Sequence, residues 1–236
     1  MTATLPPGLP AILVFDLDGT LIDSAPDIAR AVNATLAGHG RRALSVAEVR
    51  GMVGDGSASL LRQAFAATGA PLDEGGVQEA LARYLDIYFA QSAEPSCLYP
   101  GVAPTLGALH AAGIALGLCT NKPERIARKL LDLLDLARLF GAVAGGDTLP
   151  VRKPDGRPLA RVIDALGGGP AAMVGDNAND VKAARAVGIP VVAVSYGYPR
   201  MAVADLGADL VIDRFADLPA ALARLGTRPD SPPAGR

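Results

Sequence analysis

The sequence of 236 residues lacks most of what a nucleic-acid-binding protein needs. It contains no Trp, and aromatic residues make up only 4% of the chain, so platforms on which single-stranded bases could stack are missing. The 22 Lys and Arg residues face 24 Asp and Glu residues, which leaves no basic excess to attract a phosphate backbone. We therefore expect no nucleic-acid partner.

Cysteine and long apolar runs are also scarce. Cys97 and Cys119 do not have the spacing of a metal site, and Cys119 lies in an apolar run, so we expect a buried thiol and a reducing, cytoplasmic setting. No apolar run approaches the roughly 20 residues of a membrane-spanning helix. Residues 1–10 lack the features of a secretory signal. Hydrophobic residues nevertheless make up 50% of the chain, enough for a sizeable core.

One short stretch combines a predicted strand with a pair of acids. The apolar run over residues 11–15 predicts a buried strand, and Asp16, Asp18 and Thr20 follow it. Ligands of doubly wound sheets bind at the carboxyl ends of the strands. One carboxylate of such a pair can attack phosphorus, and the other can transfer protons. The pattern leaves open which acid has which role, and an Asp-Gly pair alone is also an ordinary turn.

The pair of acids also predicts a metal ion. Two carboxylates as close as those of Asp16 and Asp18 repel each other unless a cation lies between them. A hard ion that prefers oxygen ligands, such as Mg2+, suits this position. The hydroxyl of Thr20 is placed to contact a phosphate oxygen. We therefore expect a magnesium-dependent reaction of a phosphate group.

Apolar runs separated by helical patterns predict the rest of the fold. Further strand-like runs lie at residues 114–119, 142–144, 171–174, 191–194 and 210–212. Strands that alternate with helices are typical of an α/β fold with a doubly wound, mostly parallel sheet.

The domain organisation follows from where the strand patterns stop. Residues 26–91 show helical patterns only and predict an all-helical cap inserted into the α/β core, which comprises residues 1–25 and 92–225. Residues 226–236 are rich in Pro, Gly and Arg, which predicts a disordered tail.

Two capping patterns indicate where cap helices begin. Ser24 is followed three residues later by Asp27, and Ser45 by Glu48. In such a box, the hydroxyl accepts a hydrogen bond from the helix backbone and the acid binds back to the first residue. We expect both serines to cap helices.

The predicted strand that ends at Cys119 is followed by Thr120, Asn121 and Lys122. A hydroxyl or an amide that precedes a helix N-terminus is a natural anion site. Capping of the next helix is an equally good explanation of the same residues. Lys122 has no role in this pattern beyond that of a surface charge.

A loop rich in Gly and Pro carries two adjacent cations, Arg152 and Lys153. By itself, a lysine in such a loop is usually solvated. A fixed ammonium near the two acids would instead neutralise the nucleophile and a transferring phosphoryl group. The pattern leaves Lys153 and Arg152 both as candidates.

The strand predicted over residues 171–174 ends in a second acidic pattern, Asp176 and Asp180. Asp180 falls about one turn inside the helix that begins nearby. The simpler interpretation is a helix start, where acids are favoured by the helix dipole. Agreement among four strand ends favours a shared site over separate caps.

In this order, the four motifs resemble those of haloacid dehalogenase-like phosphatases, and residues 15–27 resemble phosphoglycolate phosphatases in particular. The resemblance implies that Asp16 is the nucleophile and Asp18 the general acid and base. It further implies that Thr120, with Asn121 beside it, binds phosphate and that the family's lysine is Lys153. The metal, Mg2+ with Mn2+ or Co2+ as alternatives, would be held by three residues: Asp16, Asp18 through its backbone carbonyl, and Asp176. Asp180 would hold a water on the metal or orient the lysine.

The predicted cap contains a glycine loop that resembles one in phosphoglycolate phosphatases. Gly54 and Gly56 can direct backbone N–H groups at an anion such as a glycolate carboxylate, although a flexible turn explains them as well. Asp55 stands where the family often has Asn, and its carboxylate would repel an anionic substrate unless it points away.

The sequence thus favours a phosphatase for 2-phosphoglycolate, a small phosphorylated metabolite, acting as a monomer or homodimer. Another small phosphate ester, such as a sugar phosphate, a nucleotide or pyrophosphate, or a phosphomutase reaction, is the alternative. A binding protein without catalytic activity is the third hypothesis, but such a protein has no need of Asp18.

Overall fold

A computed structural model describes residues 9–91 and 97–226 of the chain. The predicted tail lies almost entirely outside the described residues. The strands are β1 Ile12–Phe15, β2 Ile22–Asp23, β3 Cys97–Leu98, β4 Ala115–Cys119, β5 Phe140–Ala144, β6 Ala171–Gly175, β7 Val191–Val194 and β8 Leu210–Ile212. The helices are α1 Ala25–Ala37, α2 Val46–Arg50, α3 Ser57–Thr68, α4 Glu74–Gln91, α5 Val102–Ala111, α6 Glu124–Leu133, α7 Arg157–Ala165, α8 Ala178–Ala186 and α9 Leu218–Gly226.

Six strands form one parallel sheet in the order β5-β4-β1-β6-β7-β8. The chain starts in the middle with β1, adds β4 and β5 on one side, and then adds β6, β7 and β8 on the other. This change of direction makes the carboxyl end of β1 the switch point of the sheet, where ligands of such folds bind. The predicted strands are confirmed, and the doubly wound α/β class with them.

Both faces of the sheet are covered by helices, which explains why its central strands are almost uniformly apolar. Leu13 and Phe15 of β1 point to the layer that contains α5, α6 and α9. Ile12 and Val14 point to the opposite layer, which contains α7 and α8. The alternation follows from the period of two along a strand. None of the helices in the described ranges has both the length and the apolar composition needed to cross a membrane.

Four helices, α1 to α4, lie between the short strands β2 and β3. These two strands pair antiparallel, so the chain leaves the core and returns to it at one place. The helices pack on one another through buried side chains such as Leu36, Leu61 and Phe65. The regular structure described between β2 and β3 is therefore all helical, and the bounds of the cap as a domain stay a prediction.

The two predicted capping boxes differ in outcome. At α2 the box is complete, because Ser45 accepts a hydrogen bond from the Glu48 N–H and Glu48 binds back to the Ser45 N–H. At α1 the prediction is wrong, because Ser24 makes no capping hydrogen bond. Its hydroxyl instead donates to the Asp18 carboxylate at 2.5 Å. A nearby acceptor of full negative charge is a stronger partner than a backbone dipole.

Candidate active site

Three polar residues emerge side by side where neighbouring strands end. Strand β1 lies between β4 and β6 in parallel register. The residues that directly follow these strands are Asp16, Thr120 and Asp176. The backbone N–H of Asp16 still donates to the Val174 carbonyl at 2.9 Å, so the sheet fixes its position. All three are buried.

Of the two oxygens of the Asp16 carboxylate, only Oδ1 accepts a hydrogen bond from the described residues. Its Oδ1 accepts the Leu17 N–H at 2.7 Å and lies 3.1 Å from the Lys153 ammonium. Burial raises the pKa of Asp16 to about 6, and the charges of Asp180 and Asp18 add to this rise while Lys153 opposes it. Among the described residues none donates to Oδ2, so that oxygen is available for attack on a substrate.

Lys153 is buried, as the preferred interpretation of its loop requires, with 1% of its side chain exposed. Its ammonium donates to Asp180 Oδ1 at 2.6 Å. Burial alone would lower the pKa of Lys153, but Asp16 and Asp180 raise it, so the lysine remains a cation. Arg152, the alternative cation, approaches the cap at Gly56 instead.

Asp180 both caps a helix and contacts the Lys153 ammonium, so both interpretations of its motif apply. Its Oδ2 accepts the backbone N–H groups of Asp176 at 3.0 Å and Asn177 at 3.1 Å, which caps α8. Its Oδ1 holds Lys153. Both oxygens of Asp180 thus accept from protein donors, and one of these donors is the Lys153 ammonium.

The carboxylate of Asp176 stands in a space kept free by glycines. A Cβ on Gly19 would lie 2.2 Å from Asp176 Oδ2, and one on Gly197 would lie 2.4 Å from the Asp176 Cβ. The φ of Gly19 is +81°, a conformation that also favours glycine. Burial, together with Asp180 and Asp16, raises the pKa of Asp176 well above its usual value.

This group of acids fits a divalent metal ion. One carboxylate oxygen each of Asp16, Asp176 and Asp180 lies within 4.8 Å of the others. When all three acids are ionised, the single positive charge of Lys153 leaves two negative charges uncompensated in a buried place. A hard divalent ion with oxygen ligands would balance this charge.

Asp18 forms a second, separate charge pair. The Lys122 ammonium donates to its two carboxylate oxygens at 2.7 and 2.9 Å. The Lys122 side chain is 3% exposed, so its interpretation as a surface charge is wrong. The cap encloses it, with the ammonium 4.7 Å from the ring centre of Tyr88. Local sequence could not show this because the pair spans 104 residues.

Three of the predicted phosphate-binding side chains differ in their hydrogen-bond partners. The Thr20 hydroxyl is fully buried and has no hydrogen-bond partner within the described part of the chain. Such an orphan group is unfavourable unless a ligand completes it. Asn121 donates its amide to the carbonyls of Gly54 and Lys153 at 2.8 and 2.9 Å, so it joins the cap loop to the core. The Thr120 hydroxyl accepts the Lys122 N–H at 3.2 Å.

The acids open into a cleft between the core and the inserted helices, with a volume of about 510 Å³ that includes its open mouth. The core side of the cleft is polar. The cap contributes apolar and aromatic side chains together with the glycine loop. The cap residues that line the cleft are Ile28, Val53, Gly54, Gly56, Ser57, Leu60, Tyr84 and Tyr88.

Asp55, the unexpected acid of the glycine loop, points away from this cleft. Its carboxylate accepts hydrogen bonds from Arg200 at 2.5 Å and from Asn179 at 2.8 Å. Arg200 also donates to the Val53 carbonyl at 2.7 Å. Although partial burial opposes it, the Arg200 and Asn179 contacts lower the pKa of Asp55. The acid is thus kept charged and fastened to the core.

Comparison with known proteins agrees with this geometry. A family model for haloacid dehalogenase-like hydrolases matches residues 10–188. A phosphoglycolate phosphatase of Caulobacter vibrioides is 44% identical over 95% of this chain and 96% of its own. One of Rhodospirillum rubrum is 48% identical over 89% and 90%. The crystal structure of a predicted phosphoglycolate phosphatase from Haemophilus somnus matches with a TM-score of 0.84 and 32% identity, over 89% of this chain and 97% of the other.

Proposed function

Because this chain belongs to the haloacid dehalogenase-like hydrolases, we propose that it hydrolyses a phosphomonoester, 2-phosphoglycolate, to glycolate and phosphate. The observation that carries the proposal is the arrangement of Asp16 and Asp18. One acid has an unoccupied oxygen beside a buried ammonium, and the other faces the cleft. Curated relatives of 39–48% identity, all named phosphoglycolate phosphatase, support the substrate.

In the first step, Asp16 Oδ2 attacks phosphorus and an aspartyl-phosphate forms as the ester P–O bond breaks. The Asp18 carboxylate, which accepts from Lys122 and Ser24, must first take up a proton, which a monoprotonated phosphate group can bring, and it then passes this proton to the leaving alkoxide. In the second step Asp18 takes a proton from water, which attacks the same phosphorus and releases phosphate and the Asp16 carboxylate. Both steps are displacements at phosphorus, which depend on positioning and on electrostatic stabilisation.

The remaining polar groups stabilise the charge that moves in these steps. Lys153, fixed by Asp180, lies beside the nucleophile and the phosphoryl oxygens. The orphan hydroxyl of Thr20 and the hydroxyl of Thr120 donate to the phosphoryl group. These donors are in place before the reaction, so no reorganisation is needed.

Mg2+ is the metal that we propose, with Mn2+ or Co2+ as alternatives. It would be held by Asp16, Asp176 and the backbone carbonyl of Asp18. When bound, it neutralises charge on the phosphoryl group. The carboxylate oxygens of Asp16, Asp176 and Asp180, which lie within 4.8 Å of one another, support this assignment.

The cap, for which we propose the bounds 26–91, provides the substrate specificity. It inserts into a core of residues 1–25 and 92–225. The acids and hydroxyls of the core contact phosphate and metal in this proposal, so we expect the cap side of the cleft to contribute to recognition of the leaving group. Gly54 and Gly56 line this side, and we propose that their loop offers N–H groups to the glycolate carboxylate.

The setting that we propose is the cytoplasm, where the enzyme acts on its metabolite as a monomer or homodimer. The free, buried thiol of Cys119 supports a reducing compartment. Burial raises the pKa of this thiol to about 12, so it stays protonated and unreactive.

The test is phosphate release from a panel of phosphomonoesters in the presence of Mg2+. The panel includes 2-phosphoglycolate, sugar phosphates, nucleotides and pyrophosphate, with Asp16→Asn and a chelator as controls. The proposal expects 2-phosphoglycolate to lead in kcat/KM and both controls to be inactive. A different leading ester would retain the phosphatase mechanism and refute the substrate.

A further inference from the structure

We propose that Lys122 binds the carboxylate of the leaving group and thereby determines which phosphate esters are hydrolysed. This inference rests on the proposed function and adds the residue that recognises the substrate's second anionic group. The first observation is the distribution of positive charge along the cleft. Among the residues that line the cleft in the described part of the chain, Lys122 is the only cation.

The free hydrogen-bonding capacity of Lys122 supports this role. An ammonium group has three N–H donors. Two of them are directed at the oxygens of Asp18, at 2.7 and 2.9 Å. The third is available in a cleft where an anion would otherwise meet only neutral groups and acids.

The position of Lys122 matches the chemistry of 2-phosphoglycolate. Asp18 must contact the ester oxygen in order to protonate it. In 2-phosphoglycolate a single carbon separates this oxygen from the carboxylate. A cation in contact with Asp18 is therefore within reach of the carboxylate whenever the acid is in place.

The surroundings fix Lys122 before a substrate arrives. Its side chain is 3% exposed, and the Tyr88 ring lies over the ammonium at 4.7 Å. The Tyr88 hydroxyl is itself buried and has no hydrogen-bond partner among the described residues. An ammonium held in this way loses little conformational entropy on binding.

The first test compares two esters that differ only in charge at the far end. These are 2-phosphoglycolate and 2-hydroxyethyl phosphate, in which a neutral CH2OH replaces the carboxylate. We expect Lys122→Met to lower kcat/KM for 2-phosphoglycolate about 10- to 100-fold more than for 2-hydroxyethyl phosphate. An equal loss for both esters would mean that Lys122 only positions Asp18, and this would overturn the proposal.

A second test removes the role of Asp18 from the comparison. In Asp18→Asn, turnover is blocked and Lys122 has no charged partner, so its further change to Met leaves no carboxylate unpaired. Binding of both esters is measured by calorimetry with and without the Lys122→Met change. The proposal expects a selective loss for 2-phosphoglycolate of about 10- to 100-fold, and equal affinities before and after would refute it.

Two control variants complete the design. Lys129 also lies against an aromatic ring of α4, that of Phe89 at 4.4 Å, but it does not line the cleft. Lys129→Met should leave the preference between the two esters unchanged. Arg152→Met tests the nearby cation behind Gly56. If the preference is lost with Arg152 rather than with Lys122, the proposal is wrong.

The wild-type protein separates this proposal from the proposed function. If it shows no preference for 2-phosphoglycolate over 2-hydroxyethyl phosphate, then the proposed substrate fails, whatever the variants show. If it does show the preference and Lys122→Met retains it, then only the role of Lys122 fails.

Discussion

Replacing Asp16, the nucleophile that we propose, should stabilise the metal-free protein. Burial holds the pKa of Asp16 at about 6 against an ordinary 3.8, so ionising this acid costs the fold ~3 kcal/mol at pH 7.5. Asp16→Asn removes that cost. The side-chain oxygen of the new Asn can still accept a hydrogen bond from the Leu17 N–H, and the Lys153 ammonium still donates to Asp180. We expect a rise in melting temperature of ~6–12 °C at most for a chain of this size.

The sign of the pH dependence follows from the direction of the shift. A raised carboxyl pKa costs nothing below the unfolded value, where Asp16 is protonated in both states. The cost develops as pH rises from about 4 to about 6 and is complete above that. The advantage of Asp16→Asn should therefore be absent at pH 4 and complete at pH 7.5 in a chelator.

The pH dependence of this stability difference is measured by melting curves of both proteins from pH 4 to pH 8, with chelator and with Mg2+. Mg2+ at 100 times its dissociation constant should stabilise the wild type by ~2.7 kcal/mol and the variant much less. Asp132→Asn, at an exposed site on α6, is the matched loss of charge and should change little. A gain in Asp16→Asn that is equal at pH 4 and pH 7.5 would refute the electrostatic explanation.

Three further variants test other parts of the site. Thr20→Val removes a buried hydroxyl that has no partner among the described residues, so thermal melts should show unchanged stability or a gain of ~1 kcal/mol. In phosphate-release assays, the same variant should lower kcat/KM about tenfold. Lys153→Met should abolish activity. It should also lower the free energy of unfolding by ~3 kcal/mol or more, because the buried carboxylates of Asp16 and Asp180 lose their cation. Denaturant titration at pH 7.5 measures this loss. Arg200→Ala should raise KM for 2-phosphoglycolate roughly two- to fivefold because Asp55 is released, and Asp55→Asn in that background should restore it. Unchanged KM in Arg200→Ala would show that the position of Asp55 does not depend on its partner.

The sequence was sufficient for those features that depend on neighbours along the chain. Apolar runs followed by acids indicate both the strands and the edge at which Asp16 and Asp176 emerge, because parallel strands direct their carboxyl ends to one side. The helical insertion was predictable because its apolar residues repeat at helical spacing. The family resemblance added the order of the motifs.

The contacts between residues far apart in the sequence could not be predicted in this way. Asp55 and Arg200 are 145 residues apart, and Asp18 and Lys122 are 104 apart. No local period relates them, so Lys122 has the pattern of a surface lysine until the cap covers it. Ser24 shows the same limit, since its sequence context predicts a cap while its hydroxyl binds Asp18.

Asp16 and Asp18, the two acids of the first motif, have different charged partners. Asp16 belongs to a buried cluster that carries an excess of two negative charges when all three of its acids are ionised, and a divalent cation would balance this excess. Asp18 belongs to a neutral pair with Lys122, outside that cluster. In the proposed mechanism, a bound metal would offset the charge around Asp16 before the anionic phosphoryl group arrives. The ion pair with Lys122 holds the Asp18 carboxylate in place whether or not a metal is bound, and Asp18 must take up a proton before it can donate one.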